Sequence, residues 1–398
     1  KNKKTLKFFR FRVKVLGVQS KTKERKISKE FLYTVFKFKF KFPLIIAKNM
    51  TKSQEQRNKY IAETNEEYEI LNDTTKTGKD RKWKERKMGS IRFSERLIKL
   101  GYKESVVERV RTCGDVLKFV KDPVQGLKLY QAYFCKNKLC PMCNWRRSMK
   151  YSWQIKQILD KALEQYPKAR FLFLTLTVEN VPAQALSEAI KDLNKSFDRL
   201  FRRKNVKKNM IGYVRSLEVT YNDKRNDYHP HIHVLLMVTP TYFKGSENYI
   251  SQADWTKMWE ESAKLDYTPV VNIKAVKEKV AREDLHDDFS EDGIMKAVLE
   301  TAKYPVKPFE IERDKHGKVI ERSEEKLTQI TGELLDGLYK KRQLGFGGLL
   351  KELRKELHLD DIENGDLVNT SDEKTEPTAG EQIVAYWNYQ RGNYFIKQ

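Results

Sequence analysis

The chain has 398 residues, 39% of them hydrophobic and 34% charged, and carries a formal net charge of +24. That length allows two or three folding units. The charge favours a polyanionic partner, nucleic acid ahead of a membrane surface. There is no uninterrupted apolar window of about eighteen residues, the length a membrane-spanning helix needs.

The charge is unevenly spread. Residues 1–49 hold sixteen Lys/Arg and two Glu, a balance of +14 that leaves +10 for the other 349 residues. The stretch "VFKFKFKFPLIIA" alternates and is followed by no small-residue cleavage site, so it is a poor signal peptide. Met50 reads as the natural start, with 1–49 as upstream sequence translated in frame. The rival reading of 1–49 is a basic nucleic-acid-binding arm. Residues 50–105 read as a polar, helical segment.

All four cysteines fall between 113 and 143, within a segment taken as 106–150. "CKNKLCPMC" places Cys135, Cys140 and Cys143 in a C-x4-C-x2-C run, and Cys113 closes a tetrahedral set. In a chain without secretory features this spacing signals structural Zn²⁺, with disulfides as the alternative. "NWRRSMK" follows directly, and it offers Arg146 and Arg147 to nucleic-acid phosphates.

From residue 170 the hydrophobic period becomes regular. "RFLFLTLTV", 170–178, predicts a buried strand. In "AQALSEAIKDLNKSFDRLFRR", Leu186, Ile190, Leu193, Phe197 and Leu200 recur at helical steps. The helix ends in a second basic cluster that includes Arg202 and Arg203. "IGYVRSLEVTY", 211–221, predicts a strand, "NDKRND" a polar turn, and "HIHVLLMV" the second strand of a hairpin. "SQADWTKMWEESAKL" predicts a helix with a capping box from Ser251 to Asp254. "PVVNIKAV", 269–276, predicts a strand, and "GIMKAVLETAKY", 293–304, a helix curtailed near Pro305. The order β-α-β-β-α-β predicts an α+β fold with a ferredoxin-like core, an antiparallel sheet with helices on one face.

Three of the six histidines lie in "HPHIHVLL". Strand alternation puts His231 and His233 on one face and Ile232, Val234 and Leu236 on the other. Two imidazoles at a two-residue step suit a metal ion. The third ligand is either Glu218, across the hairpin, or His229, whose direction Pro230 obscures. The alternative is a pair of strand histidines satisfied without metal. Histidine plus carboxylate with open positions suits Mn²⁺ or Mg²⁺ acting on a phosphate. Further on, Glu300 and Tyr304 stand four apart in "LETAKYPVK" and share a helix face, with Lys303 and Lys307 flanking the tyrosine. A phenol near a metal-bound phosphate is a competent nucleophile, although nineteen tyrosines leave composition unable to select Tyr304.

Together, "FLTLTVEN" (173–180), "HPHIHVLL" (229–236) and "ETAKYPVK" (300–307) resemble the three motifs of the rolling-circle replication initiators of small bacterial plasmids. These belong to the HUH endonuclease superfamily, here in the class with one tyrosine and a glutamate. The likeness runs from about residue 100 to 398 and covers the cysteine segment as well; residues 1–49 have no counterpart. It implies that His231 and His233, with Glu218 as third, hold the divalent metal. It implies that Tyr304 nicks one strand at the double-strand origin and stays joined to the 5′-phosphate. Glu300 then activates the water that ends the cycle. It implies a cytoplasmic, bacterial protein acting on origin DNA that is single-stranded or a hairpin at the nick, with a homodimer allowed. No G-x-x-x-x-G-K-[S/T] is present, so unwinding falls to a host helicase.

The predicted layout is therefore the leader 1–49, segments 50–105 and 106–150, a catalytic domain 151–310, and a helical C-terminal region 311–398. That last region contains an acidic linker and an aromatic tail that docks back onto the body. Origin recognition is expected from the cysteine segment and from 325–358, with its basic "YKKRQ". Rival readings are a relaxase or single-strand transposase of the same superfamily, or a non-catalytic zinc-dependent DNA-binding regulator.

Overall fold

A computed structural model of the chain describes residues 69–75, 78–122, 126–276, 293–302, 320–370 and 380–396. All of them lie in the compact unit Asn65–Gln398. In chain order the elements are β1 (Glu69–Ile70), α1 (Trp83–Lys99), α2 (Glu104–Arg111), β2 (Val116–Asp122), β3 (Gly126–Ala132) and α3 (Pro141–Gln165). Next come β4 (Arg170–Thr177), α4 (Ala183–Arg202), α5 (Lys204–Asn209), β5 (Met210–Asn222), β6 (Asp227–Val238), α6 (Gln252–Ala263) and β7 (Val271–Ala275). The described chain closes with α7 (Gly293–Thr301), α8 (Glu324–Gly337), β8 (Leu344–Gly348), α9 (Leu349–Glu356), β9 (Glu381–Asn388) and β10 (Asn393–Ile396).

The fold is α+β, as expected, with two antiparallel five-stranded sheets. The sheet that contains the histidine strand has the order β7-β4-β6-β5-β8. Its first four members are the strands of β4-α4-β5-β6-α6-β7, in the spatial order fourth, first, third, second, which is the ferredoxin-like arrangement. The predicted capping box is formed, with Asp254 N donating to Ser251 Oγ at 3.1 Å and Ser251 N to Asp254 Oδ2 at 3.2 Å.

Helices cover both faces of this sheet. On one, Phe197 and Phe201 of α4 meet Tyr213 of β5 at ring-centroid distances of 5.2 and 4.8 Å. The other face carries α9, where a Cβ on Gly212 would come within 2.8 Å of Leu350. Helix α3 packs on α9 and α7, and α7 packs on β5 and β6. The pattern in the sequence predicted only the first layer. The second is written in the uninterrupted run Val234–Val238, buried throughout on both sides of β6.

β8 was not expected as a strand. "LGFGG" has no hydrophobic alternation, and glycine weakens strands. The glycines serve the approach of β5: the Tyr213 ring occupies the space a Gly347 side chain would fill. At Gly348 a φ of 58° turns the chain into α9.

The other sheet, β1-β10-β9-β2-β3, brings Glu69–Ile70 into line with the late strands β9 and β10. The aromatic tail docks back, as expected, but as strands: β9 pairs with β2 through Val116↔Tyr386 to Lys121↔Glu381. Tyr394 is buried and donates to Gly114 O at 2.6 Å, beside the cysteines.

Candidate metal centres

The polar turn between β5 and β6 sets the register of the histidine hairpin. Asn222 Oδ1 accepts from Lys224 N at 3.0 Å and Arg225 N at 3.2 Å, and Asn226 takes the left-handed conformation at φ 57°. With that turn fixed, Glu218 faces His231 and Ser216 faces His233. A slip of one residue would throw Glu218 to the opposite face. On the other side of β6, β4 brings Thr177 to His231 and Thr175 to His233.

Both imidazoles are oriented through Nδ1. His231 Nδ1 lies 3.1 Å from the His229 carbonyl oxygen, so it is the donor and Nε2 is left as the ligand atom. His233 Nδ1 lies 3.1 Å from Thr175 Oγ1, and Phe173 stacks on the ring at 5.5 Å and 24°. The two Nε2 atoms stand 3.6 and 3.1 Å from Glu218 Oε2. The three ligand atoms lie within 4.8 Å of one another. Burial alone would raise the Glu218 carboxyl; hydrogen bonds and charge from His231 and His233 outweigh it and hold the group below the usual carboxylate range. Of the two candidates for third ligand, Glu218 joins the group. His229 contributes a carbonyl and a ring stacked on His231 at 5.1 Å. An oxygen and two nitrogens converging from one side fit a divalent ion with remaining positions open.

The cysteine group is a different kind of site. Cys140 caps the N-terminus of α3, where Pro141 occupies the first turn. The loop before it and the end of α2 supply Cys135 and Cys113. None of the four forms a disulfide, and all are buried. Their sulfurs are 3.6 Å (Cys113–Cys143), 3.5 Å (Cys135–Cys143) and 3.8 Å (Cys113–Cys140) apart. A tetrahedron with metal–sulfur bonds of about 2.3 Å has edges near 3.8 Å. Burial pushes the Cys113 and Cys143 thiols up. Against burial, hydrogen bonds from the other thiols and from Ser90, 3.2 Å away, hold Cys140 well below its ordinary value. Lys87, fully buried, donates to Cys113 O at 3.1 Å and pairs with Asp115 at 2.5 Å.

The predicted basic residues divide. Arg146 and Arg147, expected at phosphates, instead turn inward and are each 4% exposed. Arg146 donates to Leu367 O at 2.8 Å and to Val368 O, with its guanidinium 5.4 Å from the Trp145 ring centroid. Arg147 donates to Asn137 O at 3.0 Å and Glu363 O at 3.3 Å. Both satisfy carbonyls of irregular loops that have no ladder partner, a demand unreadable from "WRR". Arg202 is exposed, and Arg203 pairs with Glu261 at 2.7 Å. Glu300 is half-buried on α7, the helix that packs on the histidine strand. Tyr304, Lys303 and Lys307 lie outside the described residues, as does the leader 1–49.

Two contributors escaped the sequence reading. Thr175 was visible only as one more member of an alternating strand. Lys138 lies between Cys135 and Cys140, and its Nζ donates to Lys341 O.

Fold and sites define an α+β protein with two separate groups able to hold metal. A family model described as replication protein matches residues 126–395, and the chain belongs to that family. A "Protein rep" of Streptococcus pneumoniae serotype 2 is 53% identical over 329 residues, covering 82% of this chain and 96% of that protein. A "Protein rep" of Lentilactobacillus hilgardii is 43% identical over 82% of this chain and 98% of its own length. A "Replication protein" of Staphylococcus aureus is 41% identical over 63% of this chain and all of its own length. No solved structure matches the chain. The membership agrees with the resemblance to plasmid replication initiators. No described helix is long and apolar enough to cross a membrane.

Proposed function

We propose that the protein starts rolling-circle replication of a plasmid by nicking one strand of its double-strand origin. The observation that carries this reading is the convergence of Glu218, His231 and His233 on the histidine hairpin of a replication-family chain. These three side chains would hold Mn²⁺ or Mg²⁺, which supplies Lewis-acid polarisation of the scissile phosphate. Thr175 and the His229 carbonyl hold the imidazoles with Nε2 forward.

Tyr304 attacks the phosphorus. Its phenolic oxygen bonds to the 5′-phosphate as the bond to the 3′-oxygen breaks, leaving a 3′-OH to prime synthesis. Glu300 serves at the end as the base that removes a proton from water, releasing the enzyme from the DNA. Lys303, Lys307 and Arg202 are assigned to backbone phosphates. The four cysteines are assigned to structural Zn²⁺, which their sulfur geometry fits. Strand separation is assigned to a host helicase.

The test is incubation of the purified protein with a single-stranded origin oligonucleotide and Mn²⁺ or Mg²⁺. The expected products are one nick, a 3′ end that a polymerase extends, and a protein–DNA adduct absent from Tyr304→Phe. No nick with either metal, or products carrying the phosphate on the 3′ side, would overturn the reading.

A further inference from the structure

We infer that the turn Tyr339–Arg342 is a subsite for single-stranded DNA beside the Glu218–His231–His233 group, with Tyr339 stacking on an unpaired base and Arg342 holding a phosphate. The inference rests on the nicking reading above and adds where the strand lies.

Sheet register gives the location. β8 runs antiparallel to β5, with Leu344 opposite Ser216. Leu217 N donates to Gln343 O at 2.9 Å, which continues the pairing one residue further. Arg342 follows directly, one residue beyond the contact with Leu217, the chain neighbour of Glu218. One row across the sheet reads Glu218, His231, Thr177, and Arg342 lies just past the end of β8 on the Glu218 side of that row. A strand whose phosphate sits at the metal ligands passes over this row, and at the β8 edge it meets the turn.

The side chains suit a nucleic-acid strand. Tyr339 is 67% exposed, a large value for an aromatic side chain. Lys340 Nζ stands 5.2 Å from its ring centroid. Among the described residues Arg342 pairs with Asp361 at 3.6 Å, with side chains 58% and 44% exposed. Such a long, hydrated pair is worth little and yields readily to a phosphate. An exposed aromatic among cations is the usual platform for an unpaired base.

The backbone of the turn is held while its side chains project. Lys341 N donates to Leu338 O at 3.1 Å, and Gln343 N donates to Glu363 Oε1 at 2.7 Å. From the other side, Lys138 of the cysteine loop donates to Lys341 O and approaches Glu363 at 3.6 Å. The segment between Cys135 and Cys140 thus buttresses the turn. This gives the buried cysteine group a part in the function: it keeps the stacking platform in register with the metal ligands. A rigid platform stacks without a large ordering cost.

The test uses the full chain, without divalent metal, and a fluorescently labelled oligonucleotide of mixed sequence, single-stranded or annealed to its complement. Tyr339→Ala is expected to weaken single-strand binding about tenfold while Tyr339→Phe stays within about twofold of the parent. Duplex binding by Tyr339→Ala is expected to stay within about twofold, since paired bases offer no free face. Arg342→Ala is expected to lower the slope of log affinity against log salt by about one. Parent-like binding by Tyr339→Ala, equal losses on both forms of DNA, or a Phe variant as weak as the Ala variant would each overturn the subsite. Failure of the nicking reading looks different: the parent would bind the strand through Tyr339 and never cut it.

Discussion

The two groups able to hold a metal differ in almost every respect that matters to chemistry. The four cysteines are buried, with three of them at 0% exposure, and their sulfurs all lie within 4.8 Å of one another. Glu218, His231 and His233 approach from one side of a sheet end, with histidine side chains 9% and 12% exposed. A closed sulfur site has no position for substrate, whereas an open nitrogen–oxygen site does. The contrast fits the proposed division between a centre that holds the fold and one that handles a phosphate. The contact between Lys138 and Lys341 ties the first to the edge of the second.

Several substitutions would break or sharpen that contrast. The largest effect is expected from Cys140→Ser. Bound zinc should fall and the protein should lose cooperative unfolding near the parent temperature, because a structural zinc site contributes on the order of 10 kcal/mol. Unchanged metal content and melting would remove the structural role. Glu218→Gln comes next: nicking should fall by about a hundredfold or more while zinc content stays at the parent level. Loss of zinc in this variant would mean that the two centres are not separate.

Arg146→Met should cost about 2 kcal/mol in urea unfolding, since the carbonyls of Leu367 and Val368 lose a charged donor inside the protein. Its salt dependence of DNA binding should match the parent; a shallower slope would restore Arg146 to the DNA surface. The smallest effect is expected from Thr175→Val, which removes the hydroxyl that orients His233. Divalent-metal affinity measured by calorimetry should drop about tenfold, and Thr175→Ser should recover most of it. Equal affinity in Thr175→Val would show that stacking by Phe173 suffices.

Much of the metal end of the sheet was legible in the sequence. β4, α4, the histidine hairpin and the capping box of α6 carry strong periodic patterns, and strand alternation alone put His231 and His233 together. Whether Glu218 or His229 stood third was open, because the answer lies in a register that only the folded turn at Asn222–Asn226 sets. β8 was illegible for a related reason: "LGFGG" becomes a strand by pairing with β5, and its glycines answer to Tyr213 and Ile211 across the ladder. The tail strand β9 likewise depends on β2, more than two hundred and fifty residues away, and β10 depends on β9 and β1. Arg146 and Arg147 show the limit for charge. A basic pair beside a cysteine knuckle reads as a DNA contact until the loop carbonyls that claim it are in view.

The central claim is a covalent bond between one tyrosine and a 5′-phosphate. It is tested most directly by trapping the protein on a single-stranded origin oligonucleotide with Mn²⁺, digesting both components, and sequencing the modified peptide by mass spectrometry. The account predicts one nucleotide-bearing peptide, from the "ETAKYPVK" segment, with the added mass on Tyr304. A modified peptide from anywhere else in the chain, or cleaved DNA with no modified peptide at all, would contradict it.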